Sequence, residues 1–155
     1  MKIIAIDPGP IQSAYVIWDG ISTDCFNIIK NQEVLERFKN DVSKTIDILV
    51  IEKVACYGMP VGESIFETVY WSGRFSEAFN GGVHRLPRKD VKMHLCGSMR
   101  AKDSNITQAL VDRFAPYTSN KGKGKKADPG FFYGFKKDIW QAMALAVTYW
   151  DTANR

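Results

Sequence analysis

The chain has 155 residues, 45% of them hydrophobic, which is typical of a globular protein, and we expect residues 1–155 to form a single domain. Its net charge of +4 is mildly basic, which permits a polyanionic partner without requiring one. The sequence has no apolar stretch long enough to cross a bilayer and no signal-peptide pattern after Met1, so we expect a cytoplasmic protein with no membrane partner.

Three strands are predicted at the start of the chain. They cover residues 2–7, 13–18 and 21–29. The Asp19-Gly20 pair between the last two is typical of a tight hairpin, because both residue types tolerate the positive φ that such a turn needs. The sheet is therefore expected to begin as an antiparallel meander.

Helices and strands then alternate. Residues 33–43 have apolar side chains at helical spacing, and residues 46–51 form a near-continuous apolar strand. A helix between two strands implies a crossover, so we expect this fourth strand to be parallel to its neighbour. Residues 62–79 suit a long helix that ends at two glycines, and residues 83–86 suit a short fifth strand.

Three helices are predicted after the fifth strand. They cover residues 87–95, a segment from Asp103 or Ser104 to Phe114, and a segment from Ile139 whose apolar residues define one buried face. The whole order predicts an α/β fold with a mixed five-stranded sheet, its first three strands antiparallel and the others parallel, flanked by helices. This plan resembles the ribonuclease H-like fold, in which the first and fourth strands are neighbours.

Three carboxylates stand at the ends of predicted elements. Asp7 and Glu52 end apolar strands, and Asp138 precedes the last helix. Acidic residues from separate elements can hold divalent cations that activate water for phosphodiester cleavage. Each residue also has an ordinary structural explanation: Asp7 as a turn residue, Glu52 as a surface charge, and Asp138 as a helix N-cap. Because one topology would gather all three, we predict a magnesium-dependent nuclease.

Cysteine and histidine predict no further metal site. The three cysteines, Cys25, Cys56 and Cys96, form neither an even disulfide set nor a close pair, so we expect buried reduced thiols and no zinc. His84 and His94 are isolated in the sequence, and we assign no catalytic role to either.

A glycine- and lysine-rich segment lies between Tyr117 and Phe131. It has no apolar residue larger than alanine, so we expect a mobile basic loop. Phosphate contacts are one role for its lysines, and a solvated charged surface is the competing explanation. The lysines are Lys121, Lys123, Lys125 and Lys126.

Several motifs together resemble the RuvC family of Holliday junction resolving endonucleases, especially its phage-type members. Residues 6–9 (Ile-Asp-Pro-Gly) resemble the opening motif, residues 51–54 (Ile-Glu-Lys-Val) the second, and the helix that begins at Asp138 the closing one. Residues 88–106 resemble the basic segment of that family. The resemblance covers nearly the whole chain and implies a homodimer that cuts branched DNA with Mg²⁺ or Mn²⁺, two ions per site.

One position departs from the family pattern. The family typically has a second acidic residue three positions after the first on the last helix, where this chain has Gln141. Gln141 either offers a neutral oxygen ligand or faces solvent. The chain then has three acids for metal binding. Either those three suffice for catalysis, or Asp128 also binds the metal, or the protein binds junctions without cutting them well.

The resemblance and the residue types also suggest a DNA surface. Lys92 or Lys102 would neutralise charge on the cleaved phosphate, and Tyr57 would stack on an unpaired base, although simple loop packing also explains Tyr57. Further phosphate contacts are expected at Lys89 and Arg100. The aromatic residues of the long helix favour a homodimer interface, and burial within one chain is the alternative.

Two other functions are considered. A non-catalytic or weakly catalytic protein that binds branched DNA is the main alternative and is suggested by Gln141. An actin-like ATPase shares the core plan, but it needs a second domain for which 155 residues leave no room, so we rank it last.

Overall fold

The structure is a computed structural model that describes residues 1–23, 25–40 and 42–155, with only the backbone described at residues 42 and 43. One mixed sheet of five strands, in the order β3-β2-β1-β4-β5, organises this part of the chain. The strands are β1 (Ile3–Asp7), β2 (Gln12–Trp18), β3 (Cys25–Lys30), β4 (Ile48–Lys53) and β5 (Gly82–Pro87). The first three pair antiparallel, and β4 pairs parallel to both β1 and β5. The predicted sheet is confirmed.

Six helices accompany the sheet in the described residues. They are α1 (Asn31–Asn40), α2 (Val42–Thr45), α3 (Glu63–Ala78), α4 (Arg88–Cys96), α5 (Asp103–Phe114) and α6 (Ile139–Ala153). The helix predicted over residues 33–43 corresponds to α1 and the start of α2, and residue 41 between them lies outside the described residues. The fourth strand begins and ends two residues later than predicted, so it includes Glu52 and Lys53.

Alternation along the strands divides the core into two layers. In β1, Ile3 and Ala5 pack with α4, α5 and α6, while Ile4 and Ile6 pack on the opposite face with α1 and α3. Strand side chains point to opposite faces in turn. Asp7 therefore shares the α6 face of the sheet.

Helix α6 is more deeply buried than a one-sided pattern predicts. Every residue from Ile139 to Thr148 is buried, because the helix lies across β1 and β2 and also contacts α4 and α5. A helix that is covered on all sides must be apolar all round, which explains its many alanines. The two polar residues in this range, Gln141 and Thr148, are thus enclosed by protein.

The prediction of a tight hairpin at Asp19-Gly20 was wrong. Strand β2 ends at Trp18 and β3 begins only at Cys25, so the connection is longer, and residue 24 lies outside the described residues. The Asp19 carboxylate accepts hydrogen bonds from the backbone N–H groups of Ile21 and Ser22, at 2.9 and 2.8 Å. This local capping competes with strand pairing.

The basic segment also differs from the predicted mobile loop. Gly124–Lys125 (β6) pairs antiparallel with Asp128–Pro129 (β7) to form a short ribbon. Backbone hydrogen bonds from Gly130 to Lys123 and from Phe132 to Gly122, at 2.8 and 3.0 Å, hold the ribbon at its base. Main-chain bonding orders a segment that has little apolar surface to bury.

The cysteine prediction was half correct. All three thiols are free, but Cys25 and Cys56 are exposed and Cys96 is partly buried. Within the described residues, no helix combines the length and apolar character needed to cross a bilayer.

Candidate metal and nucleic-acid site

Strand pairing brings Asp7 and Glu52 together. The parallel register of β1 and β4 matches Ile6 with Ile51, so the two acids are the next neighbours along the same sheet edge. Alternation turns both side chains towards α6, since Glu52 shares a face with Val50 of that core layer. Their carboxyl groups lie close enough for Glu52 to act on the pKa of Asp7.

This proximity makes Asp7 difficult to ionise. Burial raises the pKa of Asp7 well above its usual value, and the hydrogen bond and negative charge of Glu52 raise it further. Asp138 adds to the increase through its charge, and only Arg88 opposes it. Two adjacent carboxyls of this kind need either a shared proton or a cation between them.

Asp138 lies at the start of α6 and is exposed. Its backbone carbonyl accepts bonds from the N–H groups of Gln141 and Ala142, at 3.0 and 3.1 Å, while its side chain makes no capping bond. The residue before it, Lys137, has φ of 46°, a left-handed conformation that redirects the chain into the helix. The carboxylate is thus not used to cap its helix, although it stands at the N-cap position.

The three acids are not equally close. Asp7 and Glu52 end neighbouring strands, and both Glu52 and Asp138 raise the pKa of Asp7. No group of three or more His, Cys, Asp or Glu side chains in the described ranges is already arranged as a metal cluster. Asp128 lies in the exposed ribbon strand β7, and no described contact joins it to the other acids.

Gln141 is buried, with 7% of its surface exposed, so the solvent-facing alternative was wrong. It lines a small cavity of about 10 Å³ together with Glu52, Arg88, Val91 and Leu145. The neutral amide of Gln141 and the carboxyl of Glu52 therefore line the same cavity.

A buried network holds the loop that follows Asp7. Asn31 donates to the Gly9 carbonyl at 2.9 Å, and the Ser13 hydroxyl bonds to the Asn31 side-chain oxygen at 2.7 Å and accepts from the Gly9 N–H at 3.1 Å. A Cβ at Gly9 would lie 2.3 Å from the Gln12 carbonyl oxygen, so only glycine fits. Both backbone groups of Gly9 are therefore fixed.

A groove opens beside Arg88, which lies 3.7 Å from Glu52. Its volume is about 290 Å³, and it is lined by Tyr57, Arg88, Lys89, Lys92 and Met99. Tyr57 and Gly58 occupy the centre of a turn closed by a 2.8 Å bond from the Met59 N–H to the Cys56 carbonyl, with φ of 48° and 79°. This turn presents the Tyr57 ring, which is 63% exposed.

Sequence reasoning assigned no role to Arg88 or Met99. Arg88 is the first residue of α4, one residue past the end of β5, and β5 pairs Leu86 with Glu52. Its position at the same sheet edge as Glu52 was the signal available in the sequence, but it depended on knowing the strand order. Met99 is exposed in the connection that follows α4, and its surroundings suggested nothing.

The other predicted DNA residues are spread over the surface. Lys102 is the exposed N-cap residue of α5, next to Asp103, which bonds Arg88. Arg100 is exposed, and no described contact joins it to the groove. The basic ribbon follows the C-terminal end of α5 in the chain. There Phe114 packs on Trp18, which lies at the end of the sheet opposite to Asp7. The ribbon lysines have no described contact with the carboxylates.

His94 is not isolated, contrary to our expectation. Its Nε2 lies 2.7 Å from a carboxylate oxygen of Asp151, which also accepts two bonds from Arg113 at 2.6 and 2.8 Å. This network ties α4, α5 and α6 together. His84 is exposed on β5, with its ring 4.9 Å from that of Tyr149.

The residues at this site fit a hard divalent cation. Oxygen donors are the ligands that Mg²⁺ and Mn²⁺ prefer, and the charged form of Asp7 is costly beside Glu52 unless a positive charge offsets it. Asp7, Glu52 and Asp138 supply charged oxygens, and Gln141 supplies a neutral one.

No family model and no curated protein sequence matches the chain. Among solved structures, the RuvC structure from Thermus thermophilus superposes with a TM-score of 0.68 at 13% identity, over 99% of this chain and 96% of that one. The structure of T. thermophilus RuvC in complex with a Holliday junction substrate gives the same TM-score at 15% identity, over 99% and 94%. The chain therefore has a RuvC-like fold.

Proposed function

We propose that this protein is a divalent-metal-dependent endonuclease that resolves Holliday junctions or other branched DNA. The observation that carries the proposal is the pair of neighbouring strand ends at Asp7 and Glu52, which Arg88 links to a groove lined by three cationic side chains and Tyr57. Carboxylates that could bind a metal ion are thus close to a surface that could bind phosphates. The RuvC-like fold supports the choice of substrate, because one of the similar structures holds a Holliday junction.

The metal would be held by Asp7, Glu52 and Asp138, with the amide oxygen of Gln141 as a neutral donor. Two Mg²⁺ or Mn²⁺ ions bound there would activate a water and stabilise the leaving oxygen of the phosphodiester. The chain itself fixes the loop after Asp7 through the Gly9 network, and strand pairing places Asp7 next to Glu52.

The DNA strand would lie along the groove. Lys89 and Lys92 face it and would contact phosphates, while Lys92 or Lys102 would neutralise charge on the phosphate that is cut. Tyr57 would stack on an unpaired base at the branch point. Arg100 and the ribbon lysines Lys121, Lys123, Lys125 and Lys126 would add electrostatic attraction at a greater distance from the acids.

We further propose that the chain forms a single nuclease domain that acts as a homodimer. Helix α3 exposes Phe66 by 66% and Tyr70 by 57%, and only Ser72 and Phe75 on it are buried. A second copy would cover this apolar surface. Sedimentation of wild type and of a Phe66→Gln variant tests this: we expect a dimer that the substitution weakens, and a wild-type monomer at all concentrations would contradict the dimer.

The decisive experiment is cleavage of a synthetic four-way junction. We expect nicking with Mg²⁺ or Mn²⁺, none in chelator, and a loss of at least 100-fold in rate for Asp7→Asn, since that residue would hold the metal. Asp112→Asn, an exposed acid on α5, is the matched control and should cut like wild type. Absence of metal-dependent nicking, or equal nicking by Asp7→Asn, would overturn the proposal.

A non-catalytic or weakly catalytic protein that binds branched DNA is the second candidate. It is favoured by the neutral Gln141 and by the absence of a ready three-acid cluster in the described residues. It predicts tight junction binding in chelator and no product in metal. If wild type does not cut, cleavage gained by a Gln141→Glu variant would attribute the weak catalysis to the neutral amide at this position.

A further inference from the structure

Arg88 joins the predicted metal site to the groove. One guanidinium nitrogen lies 3.7 Å from a carboxylate oxygen of Glu52, and the other bonds the carboxylate of Asp103. The first distance is too long for a hydrogen bond, whereas the second contact is a direct one. Arg88 is thus held mainly by Asp103 and attracted to Glu52 by charge alone.

The same side chain lines the groove with Tyr57, Lys89 and Lys92. It is 30% exposed, so its head group can reach the groove by side-chain rotation without movement of α4. A guanidinium is permanently charged and binds phosphate through two parallel hydrogen bonds. Arg88 therefore has two possible anionic partners, Glu52 and a DNA phosphate.

A cation ligated by Glu52 and a guanidinium beside the same carboxylate oppose each other. Both are positive, and two cations beside one carboxylate in a partly buried site repel each other strongly. Binding of a divalent cation would displace the Arg88 head group from Glu52. The groove, which Arg88 already lines, can receive it.

We infer that Arg88 is a positioning residue that couples metal binding to DNA binding. In the protein free of both ligands it neutralises Glu52, and when a divalent cation takes Glu52 it turns to a DNA phosphate in the groove. Coupling of this kind is reciprocal, so DNA must strengthen metal binding by the same factor that metal strengthens DNA binding. The inference rests on the proposed function, because it assumes that both ligands bind.

Removal of Arg88 should shift the two affinities in opposite directions. In calorimetric titration with Mn²⁺ alone, we expect Arg88→Gln to bind at least threefold more tightly than wild type, since a competing positive charge is gone. In fluorescence anisotropy with a labelled four-way junction in chelator, we expect the variant to bind several-fold more weakly, because the charge of Glu52 is then no longer neutralised and repels the DNA. A residue that served only to hold the fold would weaken both.

Coupling itself is measured by repeating the anisotropy titration in Ca²⁺, with no cleavage required. We expect Ca²⁺ to tighten junction binding by wild type. The ratio of junction affinities with and without Ca²⁺ should be at least threefold smaller in Arg88→Gln. Lys89→Gln is the matched control: it removes a cation from the same groove that has no described contact with Glu52. It should weaken junction binding while its Mn²⁺ affinity stays within twofold of wild type.

Asp103 provides an independent check. If it holds Arg88 away from Glu52, then Asp103→Asn should lower Mn²⁺ affinity in the wild-type background and have a smaller effect in Arg88→Gln, which a double-mutant cycle measures. Unchanged or weaker Mn²⁺ binding by Arg88→Gln, or a coupling factor equal to that of wild type, would overturn the role of Arg88. Failure of wild type to bind the junction at all would instead refute the proposed function.

Discussion

The side-chain amide of Asn31, at the start of α1, donates a 2.9 Å hydrogen bond to the backbone carbonyl of Gly9, two residues after Asp7. Asn31 is only 1% exposed, and its side-chain oxygen accepts from the Ser13 hydroxyl. A helix on one side of the sheet therefore fixes the loop that follows a carboxylate facing the other side.

Asn31→Ala should destabilise the protein and loosen Asp7. The substitution leaves the Gly9 carbonyl and the Ser13 hydroxyl without their partner, which costs about 1–3 kcal/mol for a buried group. We expect Mn²⁺ affinity to fall several-fold as well, because the loop no longer holds Asp7. Urea unfolding and calorimetry measure the two effects, with the exposed Asn27→Ala as control. A loss of stability with unchanged Mn²⁺ affinity would show that the network does not position Asp7.

Asp7→Asn should make the metal-free protein more stable at neutral and basic pH. The folded-state pKa of Asp7 is raised, first by burial and then by Glu52, so its stabilising contribution is complete below the unfolded value of 3.8 and is lost as pH rises through the folded value. Between those two pKa values, the free energy of unfolding of wild type falls by up to about 1.4 kcal/mol per pH unit relative to that of the variant.

Urea unfolding in chelator from pH 4 to pH 8 measures this difference. Added Mg²⁺ should then stabilise wild type and not the variant, because the cation binds only the folded wild-type site. A stability difference that does not change with pH would mean that Asp7 ionises as freely in the folded chain as in the unfolded one.

The sheet and the neighbouring positions of Asp7 and Glu52 could be predicted from sequence, because both follow from where apolar runs begin and end. An apolar run that stops at Asp7 and another that reaches Glu52 define two strands, and parallel pairing makes their ends neighbours. The contact of Arg88 with Glu52 could not be predicted in this way, because it depends on β5 pairing with β4. Burial of Gln141 was missed for a similar reason, since helical spacing does not show that neighbours cover a helix on all sides.

Main-chain bonding accounts for the other errors. At Asp19 a side-chain carboxylate binds two backbone N–H groups, which favours a longer connection over the hairpin that the Asp-Gly pair suggests. The basic segment forms a ribbon through backbone hydrogen bonds, which a search for apolar periodicity cannot detect.

Tyr57→Ala should weaken binding of branched DNA specifically. Stacking of a base on an exposed aromatic ring contributes about 1–3 kcal/mol, so we expect roughly a 5- to 150-fold loss for a four-way junction and little change for an unbranched duplex. Tyr57→Phe keeps the ring and should bind like wild type. Anisotropy titrations with both DNAs test this, and equal losses for the two variants would show that the hydroxyl, and not the ring, matters.

Asp151 should stabilise the fold in a pH-dependent manner, because it links α6 to Arg113 on α5 and to His94 on α4. The hydrogen bond from Arg113 lowers the pKa of Asp151, and burial opposes this only in part. A lowered folded-state pKa gives stability that is present above the unfolded value of 3.8 and is lost as pH falls through the folded value. Arg113 is 45% exposed, so solvent screening limits the effect to about 1 kcal/mol.

We therefore expect Asp151→Asn to lose about that much stability at pH 7 and progressively less below pH 4, whereas Asp112→Asn on α5 should change little. Urea unfolding at both pH values decides the matter: an equal loss at each would mean that Asp151 contributes through packing and not through its charge.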